Sequence, residues 1–336
     1  MKEAMLYEKV ENLYVKCNLC NHKCKIAPKK RGICGVRENI DGTLYTLVYP
    51  KAISSNLDPI EKKPIFHLFP GSYSYSIATV GCNFRCKHCQ NAEISQMVFD
   101  HKKIIGSDYP PENVVRDALD TNSKSIAYTY TEPTIFFEYA YDTSVIAHEK
   151  GIKNVFVTNG YMTKEAIDAI SPYLDAANVD LKAFTEKFYK DICAAKLEPV
   201  LESIRYMKKK GIWVEVTTLI IPGLNDSEEE LKQIADFIFS VGEEVPWHVS
   251  AFYPTYRLTD RSRTPASTLK KAREIGIQRG LRYVYTGNIP GDEGENTYCY
   301  NCKKLLIKRF GFQITKKDIK DGKCIYCGAQ IDGIGM

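Results

Sequence analysis

The chain lacks any long apolar run. Its longest stretch without Asp, Glu, Lys or Arg extends from Pro64 to Phe84, and Pro70, Gly71, Ser72, Ser74, Ser76 and Asn83 interrupt it. Such a stretch does not read as a membrane span. The start, from Met1-Lys2-Glu3 to Glu8-Lys9, has no apolar core of a secretory signal, so a cytoplasmic location is expected. Internal repeats and low-complexity tracts are absent too, apart from an alternation of strand-like and helix-like segments. At 44% hydrophobic and 26% charged residues, the composition excludes disordered and fibrous classes. A chain of 336 residues can bury the core of roughly one 200–250-residue α/β domain and still carry appendages.

Charge and cysteine are both unevenly placed. The net charge of +5 arises in the tail, where Lys303, Lys304, Lys308, Arg309, Lys316, Lys317, Lys320 and Lys323 face only Asp318, Asp321 and Asp332. A second basic run joins Lys16, Lys23, Lys25, Lys29, Lys30, Arg31 and Arg37, with no acidic residue between 16 and 37. Such patches bind nucleic acid or acidic proteins, or simply offset nearby thiolates. Of the 12 cysteines, all but Cys193 fall into clusters at 17/20/24/34, 82/86/89 and 299/302/324/327. Disulfide frameworks belong to short secreted chains. In a long intracellular chain, close cysteine pairs read as metal ligands, because two thiolates two residues apart reach one ion. Cys193 reads as a buried small hydrophobe.

Strands are expected over 75–80, 125–130, 154–158, 176–181, 212–221, 248–252 and 282–286, with helices over 111–121, 134–149, 163–171, 199–210, 226–240 and 266–279. Asp226 with Glu229 marks one helix start, and Gly151, Gly211 and Gly280 stand just past three helix ends. This alternation predicts βαβ units on a parallel sheet. Six units predict an α/β fold in the form of a partial (β/α)6 barrel over 66–290, with a doubly wound sheet as the alternative. Either puts an active site at the C-terminal ends of the strands. A Cys-rich N-terminal extension over 1–65 and a small C-terminal lobe over 291–336 lie outside the pattern and read as metal-pinned.

Directly after the first of these strands comes Cys82-Asn-Phe-Arg-Cys86-Lys-His-Cys89. Three thiolates at this spacing can hold three irons of a 4Fe-4S cluster. The iron left without a protein ligand can bind a small molecule, as the open position does in catalytic zinc sites. A zinc knuckle completed by a distant ligand such as His88 is the alternative, although a knuckle would not need to sit at a strand's C-terminal end.

With this loop the sequence resembles the radical SAM superfamily. The resemblance implies a 4Fe-4S cluster on Cys82, Cys86 and Cys89 whose unique iron chelates S-adenosylmethionine. Tyr130-Thr131-Glu132-Pro133 stands in place of the family's Gly-Gly-Glu-Pro motif, which implies that Glu132 and the Thr131 backbone meet the methionine ammonium. A helix cap is the structural alternative for Glu132. Val157-Thr158-Asn159-Gly160 resembles a stretch of the glycyl-radical-enzyme activases, which implies cofactor contacts from Thr158 and Asn159. Asp180-Leu181-Lys182 is similar to the activases' Asp-Leu-Lys, and strand alternation puts Asp180 and Lys182 on one face. That implies a hold on the S-adenosylmethionine carboxylate. Pro222-Gly223-Leu224-Asn225-Asp226 resembles a turn that lets the family's backbone approach the adenosyl group at Gly223. His248 resembles a cofactor contact, with a satisfied core histidine as the alternative. No Arg stands on the fifth strand, where Glu215 and Thr217 hold the inward register.

The match narrows further. Cys17-Asn-Leu-Cys20-Asn-His22-Lys-Cys24, Gly32-Ile-Cys34-Gly-Val-Arg37, Phe69-Pro70-Gly71-Ser72-Tyr73-Ser74 and Gly287-Asn288-Ile289-Pro290-Gly291 resemble AmmeMemoRadiSam-system radical SAM enzymes, relatives of pyruvate formate-lyase activating enzyme. At the C-terminus, Cys299-x2-Cys302 and Cys324-x2-Cys327 make a zinc-ribbon pattern. At the N-terminus, Cys17, Cys20, Cys24 and Cys34 suit either a closed structural zinc, with His22 a possible replacement, or an auxiliary 4Fe-4S cluster. The expected activity is reductive cleavage of S-adenosylmethionine and hydrogen abstraction from an unidentified substrate, fed by an electron donor such as a flavodoxin or ferredoxin. A glycyl-radical-enzyme activase with a protein substrate is one alternative. A non-enzymatic metal module for nucleic acid or electron transfer is the other. Radical chemistry of this kind needs no Ser/His/Asp arrangement, and none is evident.

Overall fold

The computed structural model describes residues 1–336. An eight-stranded sheet forms its centre, built from β1 (Ser54–Pro59), β2 (Tyr73–Ala78), β3 (Ser125–Tyr128), β4 (Lys153–Thr158), β5 (Ala176–Asp180), β6 (Trp213–Ile220), β7 (Trp247–Ala251) and β8 (Val284–Gly287). The strands lie in chain order from β1 at one edge to β8 at the other. Those from β2 to β8 are parallel, and β1 pairs antiparallel with β2. A doubly wound sheet reverses its order at a switch point; this one does not. Because parallel crossovers are right-handed, an unreversed order puts the connecting helices on one face of the sheet.

Those helices are α1 (Pro111–Asp120), α2 (Phe137–Glu149), α3 (Lys164–Ile170), α4 (Glu198–Lys209), α5 (Glu228–Val241) and α6 (Ala266–Gln278). Each turns an apolar stripe inward, as with Val114, Val115 and Ala118 of α1. Gly151, Gly211 and Gly280 end α2, α4 and α6 with φ of 74°, 80° and 100°, a conformation that favours glycine. One expected cap is corrected. Ser227, not Asp226, caps α5, its hydroxyl accepting from the Glu230 N–H at 3.2 Å. Asp226 turns back instead and accepts from the Gly223 N–H at 2.8 Å, closing the preceding turn. The structure also adds an element absent from the sequence reading, a π turn at Tyr189–Cys193 between β5 and α4.

Every residue of β3 is buried, and so is nearly all of β5, as expected for a parallel sheet covered on both faces. The face away from the helices is covered by the chain between β1 and β2, where Phe66 and His67 donate their backbone N–H groups to the Glu215 carboxylate. The expected extension over 1–65 shares its packing with the sheet: Val15, Leu19, Ile26 and Val36 belong to the same apolar cluster as the strands and helices. The C-terminal lobe instead has a small cluster of its own, with Leu306, Ile307 and Ile331 packed on Tyr283, Tyr285 and Phe66. It contains an antiparallel three-stranded sheet of Thr297–Tyr298, Leu305–Phe310 and Gln313–Lys317. No helix is long and apolar enough to cross a membrane.

Candidate functional site

The C-terminal ends of the strands open into a cavity of about 810 Å³. Cys82, Cys86 and Cys89 line it from the loop after β2, as do Thr131 and Glu132 after β3, Thr158 and Asn159 at the end of β4, Asp180 and Lys182 at the end of β5, and His248 on β7. Residues far apart in sequence thus meet because each follows a strand of the same parallel sheet. Gly223 is the exception: it is exposed and lies outside the cavity wall. Its φ of 73° serves the turn closed by Asp226.

The three loop sulfurs are buried or half-buried. Burial, the Glu132 carboxylate and the neighbouring sulfurs push the Cys82 thiol well up, while the Cys193 thiol and burial do the same to Cys86. Grouped thiols in this state favour a cationic partner over free thiolates. Only Cys299, Cys302, Cys324 and Cys327 bring three or more ligand atoms within 4.8 Å of one another. Cys82, Cys86, Cys89 and His88 do not form such a group. Two buried donors in this loop, Asn83 Nδ2 and His88 Nδ1, have no partner.

Glu132 is fully buried beside the loop. Its Oε1 accepts from the Thr134 N–H at 3.0 Å, the Thr134 hydroxyl at 2.5 Å and the Thr158 hydroxyl at 2.6 Å, and Oε2 accepts from the Asn159 N–H at 2.8 Å. It therefore does cap a short helical turn at Pro133–Phe136, yet Oε2 retains acceptor capacity. Burial outweighs those donors and raises its carboxyl above the ordinary range. No Lys or Arg pairs with it.

Thr158 and Asn159 are committed to the frame. Besides their bonds to Glu132, the Asn159 amide donates to Asn83 Oδ1 at 2.7 Å, which ties β4 to the cysteine loop. Lys182 Nζ lies 3.0 Å from Asp180 Oδ2. Burial opposes its charge, but Asp180 and the Cys86 and Cys193 sulfurs outweigh it and hold the ammonium above the usual lysine range. His248 lines the cavity, and its Nε2 is 2.6 Å from Oε2 of the buried Glu215, so that nitrogen is already paired.

Several wall residues carry no motif. Lys63 and Asp58 form a buried pair, with Nζ to Oδ2 at 2.5 Å, and the Tyr130 hydroxyl donates to the same carboxylate. Glu61, Phe66, Leu219 and Ser250 also border the cavity, and Gly311 and Phe312 reach it from the C-terminal lobe. Strand alternation could have found Leu219 and Ser250, two residues beyond Thr217 and His248. Nothing in the sequence joins 311–312 to this site.

In the C-terminal lobe, Cys299 Sγ lies 3.7 Å from Cys327 Sγ and Cys302 Sγ lies 3.7 Å from Cys324 Sγ. Four thiolates on zinc at about 2.3 Å sit about 3.8 Å apart at the tetrahedral edge.

Residues 76–238 match the family model described as the radical SAM superfamily. An uncharacterized protein of Methanocaldococcus jannaschii is 49% identical over 99% of each chain. Pyruvate formate-lyase 1-activating enzyme of Escherichia coli is 22% identical, across 61% of this chain and 89% of that one. Among solved structures, a radical SAM methyltransferase from Sphaerobacter thermophilus aligns with a TM-score of 0.53 at 15% identity, covering 78% of this chain and 76% of that one. SuiB of Streptococcus suis bound to S-adenosylmethionine gives 0.51 at 16%, covering 68% and 52%. At such identities the structural likeness speaks for the fold.

Proposed function

Since the chain belongs to the radical SAM superfamily, we propose that it cleaves S-adenosylmethionine reductively and removes a hydrogen atom from a substrate held in the cavity. The family implies a 4Fe-4S cluster and S-adenosylmethionine, and the residues present fit both. Cys82, Cys86 and Cys89 share one loop on the cavity wall and suit three corners of a cluster, while Asn83 Nδ2 and His88 Nδ1 are spare polar atoms of the kind that meet cluster sulfides. Glu132 is a buried carboxylate without a cation, suited to an ammonium. Lys182 is a half-buried cation, suited to a carboxylate.

When bound, the cluster would supply the one electron that reductive cleavage of the sulfonium needs. The chain's own residues bind and orient. Glu132 Oε2 would take the methionine ammonium, held in aim by Thr134, Thr158 and Asn159. Lys182 would take the methionine carboxylate, with Asp180 keeping it charged. Phe66 and His248 would wall the floor and exclude water. The sheet reads as the partial barrel of this family, flanked by the segments 1–65 and 291–336, and the C-terminal cysteines read as a zinc site.

One observation carries this reading: three cysteines, a cation-free carboxylate and a paired ammonium share one cavity at the strand ends. Electron paramagnetic resonance of the dithionite-reduced protein tests it. Adding S-adenosylmethionine should shift the signal of the Cys82 cluster, and an unchanged spectrum would contradict direct binding. The hydrogen donor is open to two versions. A group on a protein is favoured by the reach of Gly311 and Phe312 to the cavity edge, which gives a docked chain a second surface to touch. A small molecule is the other version.

A further inference from the structure

Two cysteine sets in this molecule contrast in geometry. The C-terminal four close to a zinc-sized tetrahedron. Cys17, Cys20, Cys24 and Cys34 also converge, since all four line one cavity whose other walls include Leu19, Ile26 and Ile135. Yet no three of their sulfurs come within 4.8 Å of one another, and His22 does not complete such a group. A mononuclear zinc requires edges of about 3.8 Å, whereas a cubane presents each thiolate with a different iron and so holds the sulfurs farther apart. The buried Arg37 guanidinium donates to Cys17 Sγ at 3.0 Å, and its other end pairs with Glu138. That donor is the kind of contact that tunes a cluster's potential.

This set lies directly against the Cys82 loop. His22 Nε2 is 2.8 Å from the Asn83 carbonyl oxygen. The Arg85 guanidinium donates to the carbonyls of Cys82 and Phe84 on one side and of Ile33, next to Cys34, on the other. Gly81 keeps the two backbones close: a Cβ there would stand 2.9 Å from Val36 Cγ1 and 3.5 Å from the Cys34 carbonyl oxygen.

We propose that Cys17, Cys20, Cys24 and Cys34 hold a second 4Fe-4S cluster, fully ligated by protein, which relays electrons to the Cys82 site. The relay part rests on the reading of that site given above; the cluster itself does not. In the relay a one-electron donor protein is oxidised by one electron, the second cluster is reduced and then reoxidised as it passes that electron on, and no bond forms or breaks. Exposed Lys23, Lys25, Lys29 and Lys30 lie in the same segment as the N-terminal cysteines, so the donor is an acidic protein, attracted by charge.

The test is metal and sulfide analysis on anaerobically prepared full-length protein. Wild type should carry about eight irons and eight sulfides, and a Cys82→Ala/Cys86→Ala/Cys89→Ala variant about four of each. The variant's remaining cluster should give a reduced-state resonance that S-adenosylmethionine does not alter. Two zincs per chain with no iron in the variant, or no metal at the N-terminal site, would overturn the proposal. If the variant does not fold, wild type decides alone, since about four irons and two zincs contradict it. Failure of the earlier reading looks different: about four irons in both proteins, insensitive to S-adenosylmethionine.

Discussion

Tyr130 stands where the related motif has glycine, and it holds the glycine's conformation, with φ at 62°. A left-handed non-glycine residue costs about 1–2 kcal/mol. The surroundings offset this: the hydroxyl donates to Asp58, and Lys63 Nζ lies 4.4 Å from the ring centroid. Tyr130→Phe should therefore lower stability by about 1 kcal/mol without loss of iron, measured by denaturant unfolding and metal content. Glu132→Gln removes the only anion proposed for the ammonium while keeping most of its acceptors. It should weaken S-adenosylmethionine binding about 10- to 100-fold, the value of a charge-assisted hydrogen bond, as read by calorimetry on folded protein. Cys193 lies against the loop, its carbonyl accepting from the Arg85 N–H at 2.9 Å. Cys193→Ala should leave iron content unchanged; a loss would show that this sulfur occupies the open corner. At this scale the motif residues were legible because their types and spacing are chemical. Asp58, Glu61 and Lys63 were not: Asp58 and Lys63 pair locally with no motif to mark them, and Glu61 meets Arg309 across the fold.

The strand and helix elements were the most legible part of the chain. Strict alternation with a glycine past each of three helices leaves little room for another reading, and β3 ends at Tyr128 rather than Tyr130 only because the left-handed turn intervenes. The π turn at Tyr189–Cys193 escaped because widened turns have no hydrophobic period of their own. The segment between β1 and β2 escaped for another reason: its charge-free run excluded a membrane span but did not reveal that Phe66 and His67 cover the sheet. His67 links three elements, with Nδ1 2.6 Å from the Asp332 carbonyl and Nε2 2.6 Å from the Tyr285 hydroxyl. Burial holds it below the ordinary histidine range. The unfolded chain takes up a proton near pH 6.5 that the folded chain resists, so this stability is complete above that pH and is lost as pH falls below it. Thermal melts should show a lower midpoint at pH 5.5 than at 7.5, with a smaller difference in His67→Gln.

Across the whole molecule, the two ends attach differently. The N-terminal cysteines share the central core and touch the Cys82–Cys89 loop, whereas the C-terminal lobe has its own small core and joins the rest through Arg309 and Glu61, both buried, and through Asp332 with Arg282. If Cys299, Cys302, Cys324 and Cys327 hold the proposed zinc, a chelator should expose residues 299–327 to limited proteolysis while the sheet stays resistant, because a segment this small would depend on its ion. Mass spectrometry of the fragments would show it, and uniform cleavage throughout the chain would contradict it. The clustering of cysteines was plain in the sequence, but which set is wide and which is tight is a distance that spacing does not encode.

Turnover at the Cys82 site is the point on which the functional account stands. Anaerobically reconstituted protein, reduced with dithionite and given S-adenosylmethionine, should release 5′-deoxyadenosine and methionine in equal amounts by liquid chromatography and mass spectrometry. The Cys82→Ala variant should release neither. Equal product from both proteins, or none from wild type with its iron in place, would contradict the assignment.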